Sequence, residues 1–279
     1  MMDTVSSITD LRNSRSCWTL PVGFVPTMGY LHEGHLSLVR KARKDCESVV
    51  VSIFVNPAQF AHNEDLNSYP RDIAHDLELL EAQNVDLVWI PTIREMYPPG
   101  FQSWVSVEEV TLPLEGKIRP EHFRGVTTIV AKLFNCVQPD KAYFGQKDFQ
   151  QTVVIRRMVN DLNIPIEVVV CPTVREEDGL ALSSRNIYLN SEQRQAANVL
   201  NGSLVKARRV FESGQRDADI LRAVVTDSIH EEPLAQLQYV SCADLETLVE
   251  LNGIVERCLL SIAVNFGKTR LIDNLLIGD

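Results

Sequence analysis

The chain lacks paired cysteines. Its six, Cys17, Cys46, Cys136, Cys171, Cys242 and Cys258, are scattered, and no two stand at C-x-x-C spacing. That excludes a zinc knuckle and a thioredoxin-type redox pair, and single cysteines suit a reducing cytosol. Residues Met1 to Asp10 show no basic segment followed by an apolar one, so they do not read as a signal peptide. The strongest apolar run, Val49 to Val55, falls far short of the ~20 residues that span a bilayer. All three absences point to a cytoplasmic protein. A positive balance is also missing. Lys and Arg number 27 against 37 Asp and Glu, a net charge of -10, which disfavours general binding to nucleic acid or anionic membrane and still allows a local basic pocket for a phosphate. There is no internal repeat and no low-complexity stretch.

What remains is an ordinary globular composition, 45% apolar and 23% charged, over 279 residues. That length suits one large domain or two ordinary ones. The first half alternates strand and helix signals. Val22 to Val25 is a short strand ending at Pro26, and a helix begins near Leu36. Val49 to Val55 is a β-branched run suited to a strand covered on both faces. Ile73, Leu77 and Leu80 mark a helix at i, i+4, i+7. Val85 to Ile90, Ala142 to Phe144 and Ile166 to Val170 read as further strands, with helical stripes through Val126 to Val137 and Val153 to Met158. The pattern predicts a parallel α/β sheet with right-handed crossovers. Beyond Thr173 the character changes. Asn190-Ser191 caps a helix carrying Ala197, Leu200, Leu204, Ala207 and Phe211, and strand signals follow at Leu237 to Ser241, Leu259 to Val264 and Arg270 to Leu276. This predicts a first domain over 1–173 and a small α+β domain over 174–279.

Ligands of such sheets bind outside the carboxyl ends of the strands. Three polar turns fall there: Pro26 to His35, Asn56 to Phe60 and Gly145 to Gln151. In the first, His32 and His35 share a face at a helix start, and Gly29 and Gly34 let a ligand approach the backbone. Helix N-terminal amides attract phosphate. The H-E-x-H spacing is not that of a zincin, and the turn is neither a P-loop nor a G-x-G-x-x-G fingerprint. Taken alone, two such histidines are more often incidental residues of a surface turn. Lys147 at a helix start can present a cation to phosphate, or be an ordinary solvated lysine. Leu182-Ser183-Ser184-Arg185-Asn186 reads as a phosphate clamp or as a capped turn. Gln59 and Gln151 can bind a small polar substrate or simply lie at the surface.

Five segments in order narrow these alternatives. They are Val25 to His35, Ser52 to Phe60, His122 to Val126, Phe144 to Gln151 and Asp178 to Asn186. Together they closely resemble the pantothenate synthetases, the pantoate–β-alanine ligases, from about Val22 to Arg270-Leu271-Ile272-Asp273-Asn274. The resemblance implies an enzyme of the nucleotidyltransferase superfamily, with a Rossmann-like N-terminal domain, that joins pantoate to β-alanine at the expense of ATP, with Mg²⁺, as a cytoplasmic homodimer. It implies that Met28, Gly29, Tyr30, Leu31, His32, Glu33, Gly34 and His35 hold ATP, and that His35, His32 and Lys147 are catalytic. Gly145, Gln146, Lys147 and Asp148 would hold ribose and phosphate. Val174 would contact adenine, and Leu182, Ser183, Ser184 and Arg185 would close over the triphosphate from the second domain. Gln59 and Gln151 would orient pantoate, Gln59 would also serve β-alanine, and Asn56 would lie near that site. Gln146 departs from the Glu that many members carry. Metal ligands within Ala61 to Asn67 stay unassigned. Two rivals are a related nucleotidyl transferase acting on a phosphate ester, which would want further cations near Gln59 and Gln151, and a nucleotide-binding module without activity.

Overall fold

The computed structural model describes residues 2–60, 66 and 68–278. Of the segment Ala61 to Asn67 just named, only Leu66 is therefore among the described residues. The chain divides into two compact units. One comprises Met1–Gln146 and Gln151–Pro172, the other Lys147–Gln150 and Thr173–Asp279.

In the first unit the elements run β1 (Asp3–Val5), α1 (Ile8–Ser14), β2 (Val22–Thr27), α2 (Glu33–Asp45), β3 (Ser48–Ile53), α3 (Ile73–Ala82), β4 (Leu87–Trp89), α4 (Ile93–Met96), α5 (Glu115–Ile118), α6 (His122–Val137), β5 (Lys141–Gly145), α7 (Phe149–Asp161) and β6 (Glu167–Cys171). The six strands form one sheet in the order β1-β4-β3-β2-β5-β6, and every pairing is parallel. All six residues of β3 are buried, as expected of a β-branched strand covered on both faces. One core cluster joins Phe24, Val50, Trp89, Phe134, Phe144 and Ile155, and another joins Val25, Val39, Val51, Val88 and Tyr143.

Strand order reverses between β2 and β5, the position at which doubly wound sheets open a crevice. Strand β2 follows β3 in register over six residues, Val22 to Thr27. It pairs with β5 only at Gly23 and Phe24. Beyond that point, among the described residues, no ladder ties the carboxyl ends of β2 and β5 together. This explains why Pro26 continues the strand instead of ending it as expected: proline has no N–H to give, and on the β5 side none is called for.

One further expectation needs correction. Ile73 does not lie on the buried face of α3. It is 37% exposed, while Asp76 and Leu80 are fully buried, so the helix turns a carboxylate inward where an apolar stripe was read. The strand at Asp3–Val5 and the helix at Ala218–His230 were not anticipated.

In the second unit α8 (Ser191–Ala196), α9 (Val199–Glu212) and α10 (Ala218–His230) accompany an antiparallel sheet β7-β8-β9 of Ala235–Ala243, Cys258–Phe266 and Thr269–Ile277. The helix expected from Asn190 is two helices. Asn190 caps the first through a reciprocal pair with Gln193, the chain breaks stride at Ala197-Asn198, and the apolar stripe Leu200, Leu204, Ala207 and Phe211 belongs to the second. These side chains meet Leu221, Val225, Leu260, Ile262 and Val264 in one core. All six cysteines are free thiols, and five are buried.

Candidate active site

The turns after β2, β3 and β5 leave the same edge of the sheet, because these three strands are neighbours and parallel. The first turn is built tightly. Gly29 (φ 82°) and Tyr30 (φ 53°) both take the left-handed conformation, which a tyrosine adopts only when its surroundings impose it. What imposes it is Asp76. The carboxylate is fully buried and accepts the backbone N–H of Tyr30 at 2.8 Å and of Leu31 at 2.7 Å. A Cβ on Gly29 would stand 3.0 Å from both Asp76 Oδ2 and Ile53 Cγ2, so glycine is required there on two grounds. Burial pushes the Asp76 carboxyl above its ordinary pKa, and the two amide hydrogen bonds work against that. Sequence reading missed Asp76. The signal was present as a carboxylate at i+3 of the Ile73, Leu77, Leu80 pattern.

The two histidines cap α2 and each other. His32 is the N-cap, and its Nδ1 accepts the Gly34 N–H at 3.2 Å. The His32 N–H in turn reaches His35 Nδ1 at 3.3 Å. The ring centroids lie 4.1 Å apart. A backbone N–H can only donate, so each ring accepts at Nδ1 and its proton sits on Nε2. Both imidazoles therefore carry a donor nitrogen beside a helix N-terminus, an arrangement suited to an anion. Both rings are half-buried. Glu33 pairs with Arg40 on the outer side of α2.

The second turn is braced from α6. Asn56 is 1% exposed and caps the 3₁₀ turn Pro57–Gln59. His122 Nδ1 lies 2.9 Å from the Gln59 carbonyl, and Arg119 donates to the same oxygen at 3.2 Å. Gly125 packs so closely that a Cβ there would fall 2.2 Å from the Ala58 carbonyl oxygen. The motif His122 to Val126 thus buttresses the turn that carries Gln59. The Gln59 side chain reaches back to the first turn, with Nε2 3.0 Å from Met28 Sδ. Replacing Gly125 by alanine is expected to push this turn outward and to destabilise the protein by about 1–3 kcal/mol, the usual range for overpacking, as read by urea unfolding. An unchanged midpoint would show that the turn yields freely.

Of the remaining candidates, Gly145, Gln146 and Gln151 belong to the first unit with Met28 to His35 and Gln59. Gly145 ends β5, Gln146 opens a 3₁₀ turn and Gln151 lies in the first turns of α7. Lys147, Asp148, Val174, Leu182, Ser183, Ser184 and Arg185 belong to the second unit. There the Lys147 carbonyl accepts from Asn274 Nδ2 at 2.8 Å. Val174 and Leu182 face each other across a hairpin, the Leu182 N–H donating to the Val174 carbonyl at 3.0 Å. Ser183 caps the turn Ser184–Tyr188 by accepting the Arg185 N–H at 3.3 Å. The capped-turn and clamp readings of this segment are therefore compatible. Among the described residues no three His, Cys, Asp or Glu side chains are grouped to hold a metal ion, and no helix is long and apolar enough to cross a membrane.

A family model described as pantoate-beta-alanine ligase matches residues 1–276. The chain belongs to the pantoate–β-alanine ligase family. Within it, the pantothenate synthetase of Herpetosiphon aurantiacus is 57% identical over 277 residues, covering 99% of this chain and 100% of that one. The pantothenate synthetase of Roseiflexus castenholzii is 55% identical over 276 residues, 99% of each chain. The solved pantothenate synthetase of Thermus thermophilus matches with a TM-score of 0.94 at 48% identity, covering 98% of this chain and 99% of that one. A pantoate-beta-alanine ligase from Francisella tularensis, solved in complex with beta-gamma ATP and beta-alanine, matches with a TM-score of 0.79 at 35% identity over 99% and 98%. The ligase family and the Rossmann-like sheet expected from the sequence both stand.

Proposed function

We propose that this chain condenses pantoate with β-alanine in two steps driven by ATP. In the first, a pantoate carboxylate oxygen attacks the α-phosphorus, the bond to the β-phosphate bridging oxygen breaks, and pyrophosphate leaves. In the second, the β-alanine amine attacks the acyl carbon of pantoyl adenylate, the acyl–phosphate C–O bond breaks, AMP leaves and the nitrogen loses a proton. The observation that carries this reading is the turn Met28 to His35. It sits at the reversal point of a parallel sheet and offers a helix N-terminus with two Nε2 donors.

Phosphoryl attack of this kind needs positioning and charge neutralisation more than covalent help. His35 stabilises the phosphoryl oxygens as they gain charge, and His32 assists the departing pyrophosphate. Lys147 and the segment Leu182 to Arg185 supply cations and donors to phosphate, Gly145 to Asp148 bind the ribose side, and Val174 contacts adenine. Gln59 and Gln151 orient pantoate, with Gln59 and Asn56 near the β-alanine site. Mg²⁺ would enter with ATP and supply charge neutralisation on the phosphate oxygens, a role in which it commonly relies on few protein ligands. A mixed anhydride is lost to water, so exclusion of water is part of the function, and residues 174–279 serve as the lid domain in this reading. A cytoplasmic homodimer completes it, in keeping with six free thiols.

The test omits substrates in turn. With ATP and pantoate alone, a rapid acid quench is expected to trap pantoyl adenylate with an equal amount of pyrophosphate, and adding β-alanine is expected to convert it to pantothenate and AMP. Pyrophosphate release that does not depend on pantoate, or no trapped adenylate, would overturn the proposal.

A further inference from the structure

The amide of Gln59 has a defined polarity, and it is set from a distance. Two backbone groups whose roles cannot change anchor it. The Gly125 carbonyl can only accept, and Asn56 Nδ2 lies 3.1 Å from it. The Ala58 N–H can only donate, and it lies 3.3 Å from Asn56 Oδ1. These two contacts fix which end of the Asn56 amide is oxygen. The Tyr97 hydroxyl, 2.8 Å from Asn56 Oδ1, must then be the donor. Asn56 Nδ2, 3.1 Å from the Gln59 side-chain oxygen, must donate to it. The oxygen of Gln59 is thus occupied by Asn56, and its NH₂ group is turned the other way, toward Met28 Sδ. Sulfur is a weak acceptor, and a substrate oxygen would make a better one.

The tyrosine that secures Asn56 from the far side is itself held firmly. It ends α4, with its N–H donating to the Ile93 carbonyl at 2.7 Å. Its ring packs edge-on to Phe101 and stacks on Trp104, with Phe54 on a further side. Arg124 lies over the outer ring of this group, Trp104. Burial raises the Tyr97 hydroxyl pKa, so it keeps its proton over the working range.

We propose that Tyr97 is a positioning residue for the pantoate pocket: acting through Asn56, it holds Gln59 with NH₂ outward, so that the pocket accepts a group bearing oxygen acceptors and not an ammonium. The inference rests on the reaction proposed above. It also sharpens the role of Gln59, whose outward face suits a carboxylate or hydroxyl oxygen of pantoate and does not suit the amine end of β-alanine. Tyr97 meets no substrate in this scheme. Its effect passes entirely through the two amides. Without its proton donor, Asn56 Oδ1 keeps only the longer contact with the Ala58 N–H, so the backbone still sets the polarity of both amides but the Asn56–Gln59 pair is held less firmly in place.

The experiment is a double-variant cycle in the full-length protein, read by pyrophosphate release from ATP and pantoate. Tyr97→Phe keeps the ring packing and removes only the hydroxyl. It is expected to raise KM for pantoate roughly tenfold, as loss of one buried hydrogen bond does, with little change in KM for ATP. In a Gln59→Ala background the same substitution is expected to add less than about twofold, because the group it orients is gone. Additive effects of the two substitutions, or equal changes in KM for ATP and pantoate, would overturn the positioning role. So would no change in pantoate KM in Tyr97→Phe. Failure of the unaltered protein to release pyrophosphate with pantoate would instead overturn the reaction on which the inference rests.

Discussion

Replacing His35 by glutamine is expected to lower pantoate-dependent pyrophosphate release by about 10²–10³-fold, the loss seen when one donor to a developing oxyanion is removed. Glutamine is chosen over alanine because His35 does two jobs. Its Nδ1 accepts the His32 N–H and so helps to cap α2. Alanine would lose the cap as well, at about 1 kcal/mol. Glutamine at the third helical position can accept the same N–H but has no nitrogen where Nε2 stood. The variant is therefore expected to melt near the parent temperature and to bind ATP while failing in chemistry. His35→Ala should match its kinetic loss and add a modest loss of stability. If His35→Gln retains a tenth or more of the parent rate, the histidine serves only as a cap and the catalytic role fails. The pairing of the two variants separates the electrostatic role from the structural one, which a single alanine substitution does not.

The same two histidines show how far the sequence reaches. Their spacing placed both on one face at a helix start, and the structure finds them there. The parallel sheet was equally legible, because buried β-branched runs such as Val49 to Val55 alternate with helical stripes. Features that depend on partners far along the chain were not. Asp76 imposes the conformation of Tyr30 from 46 residues away, and Tyr97 donates to Asn56 from 41 residues away. A single polar residue carries no mark of the distant amide it will meet. Pro26 was read as a strand end because the rule concerns the missing N–H, and the sequence does not say that β5 leaves that side of β2 unpaired. The short strand Asp3–Val5 has a largely exposed pattern and no apolar run to announce it. The break between α8 and α9 falls at Ala197-Asn198, residues that a helix tolerates, so periodicity ran through it.

The terminal motif Arg270 to Asn274 is the clearest case of a resemblance whose physical reason lies elsewhere. Asp273, in the middle of β9, has a fully buried side chain. Arg175 meets it in a two-point pair, NH1 to Oδ2 at 2.6 Å and NH2 to Oδ1 at 2.9 Å. The same guanidinium donates to the carbonyls of Gly179 at 3.1 Å and Asn274 at 3.4 Å. Arg175 also bridges to Ala181 across the hairpin that joins Val174 to Leu182. One arginine therefore ties the segment proposed to meet adenine and phosphate onto the sheet of the second unit. Arg175→Met is expected to leave Asp273 buried without its cation and to destabilise the second unit by about 3–5 kcal/mol. Urea unfolding of the full-length protein, followed by a probe in residues 174–279, reads this directly. A second variant distinguishes loss of the pair from loss of packing. Arg175→Met with Asp273→Leu removes both charges and fills similar volumes, and replacement of a buried ion pair by apolar groups is commonly neutral or better. Most of the lost stability should return in the double variant. The donations to the Gly179 and Asn274 carbonyls do not return with it, so KM for ATP should stay raised in both variants if the hairpin geometry depends on the guanidinium fork. A loss below about 1 kcal/mol in Arg175→Met would place the pair among exposed ion pairs in energetic terms and remove this account of the motif.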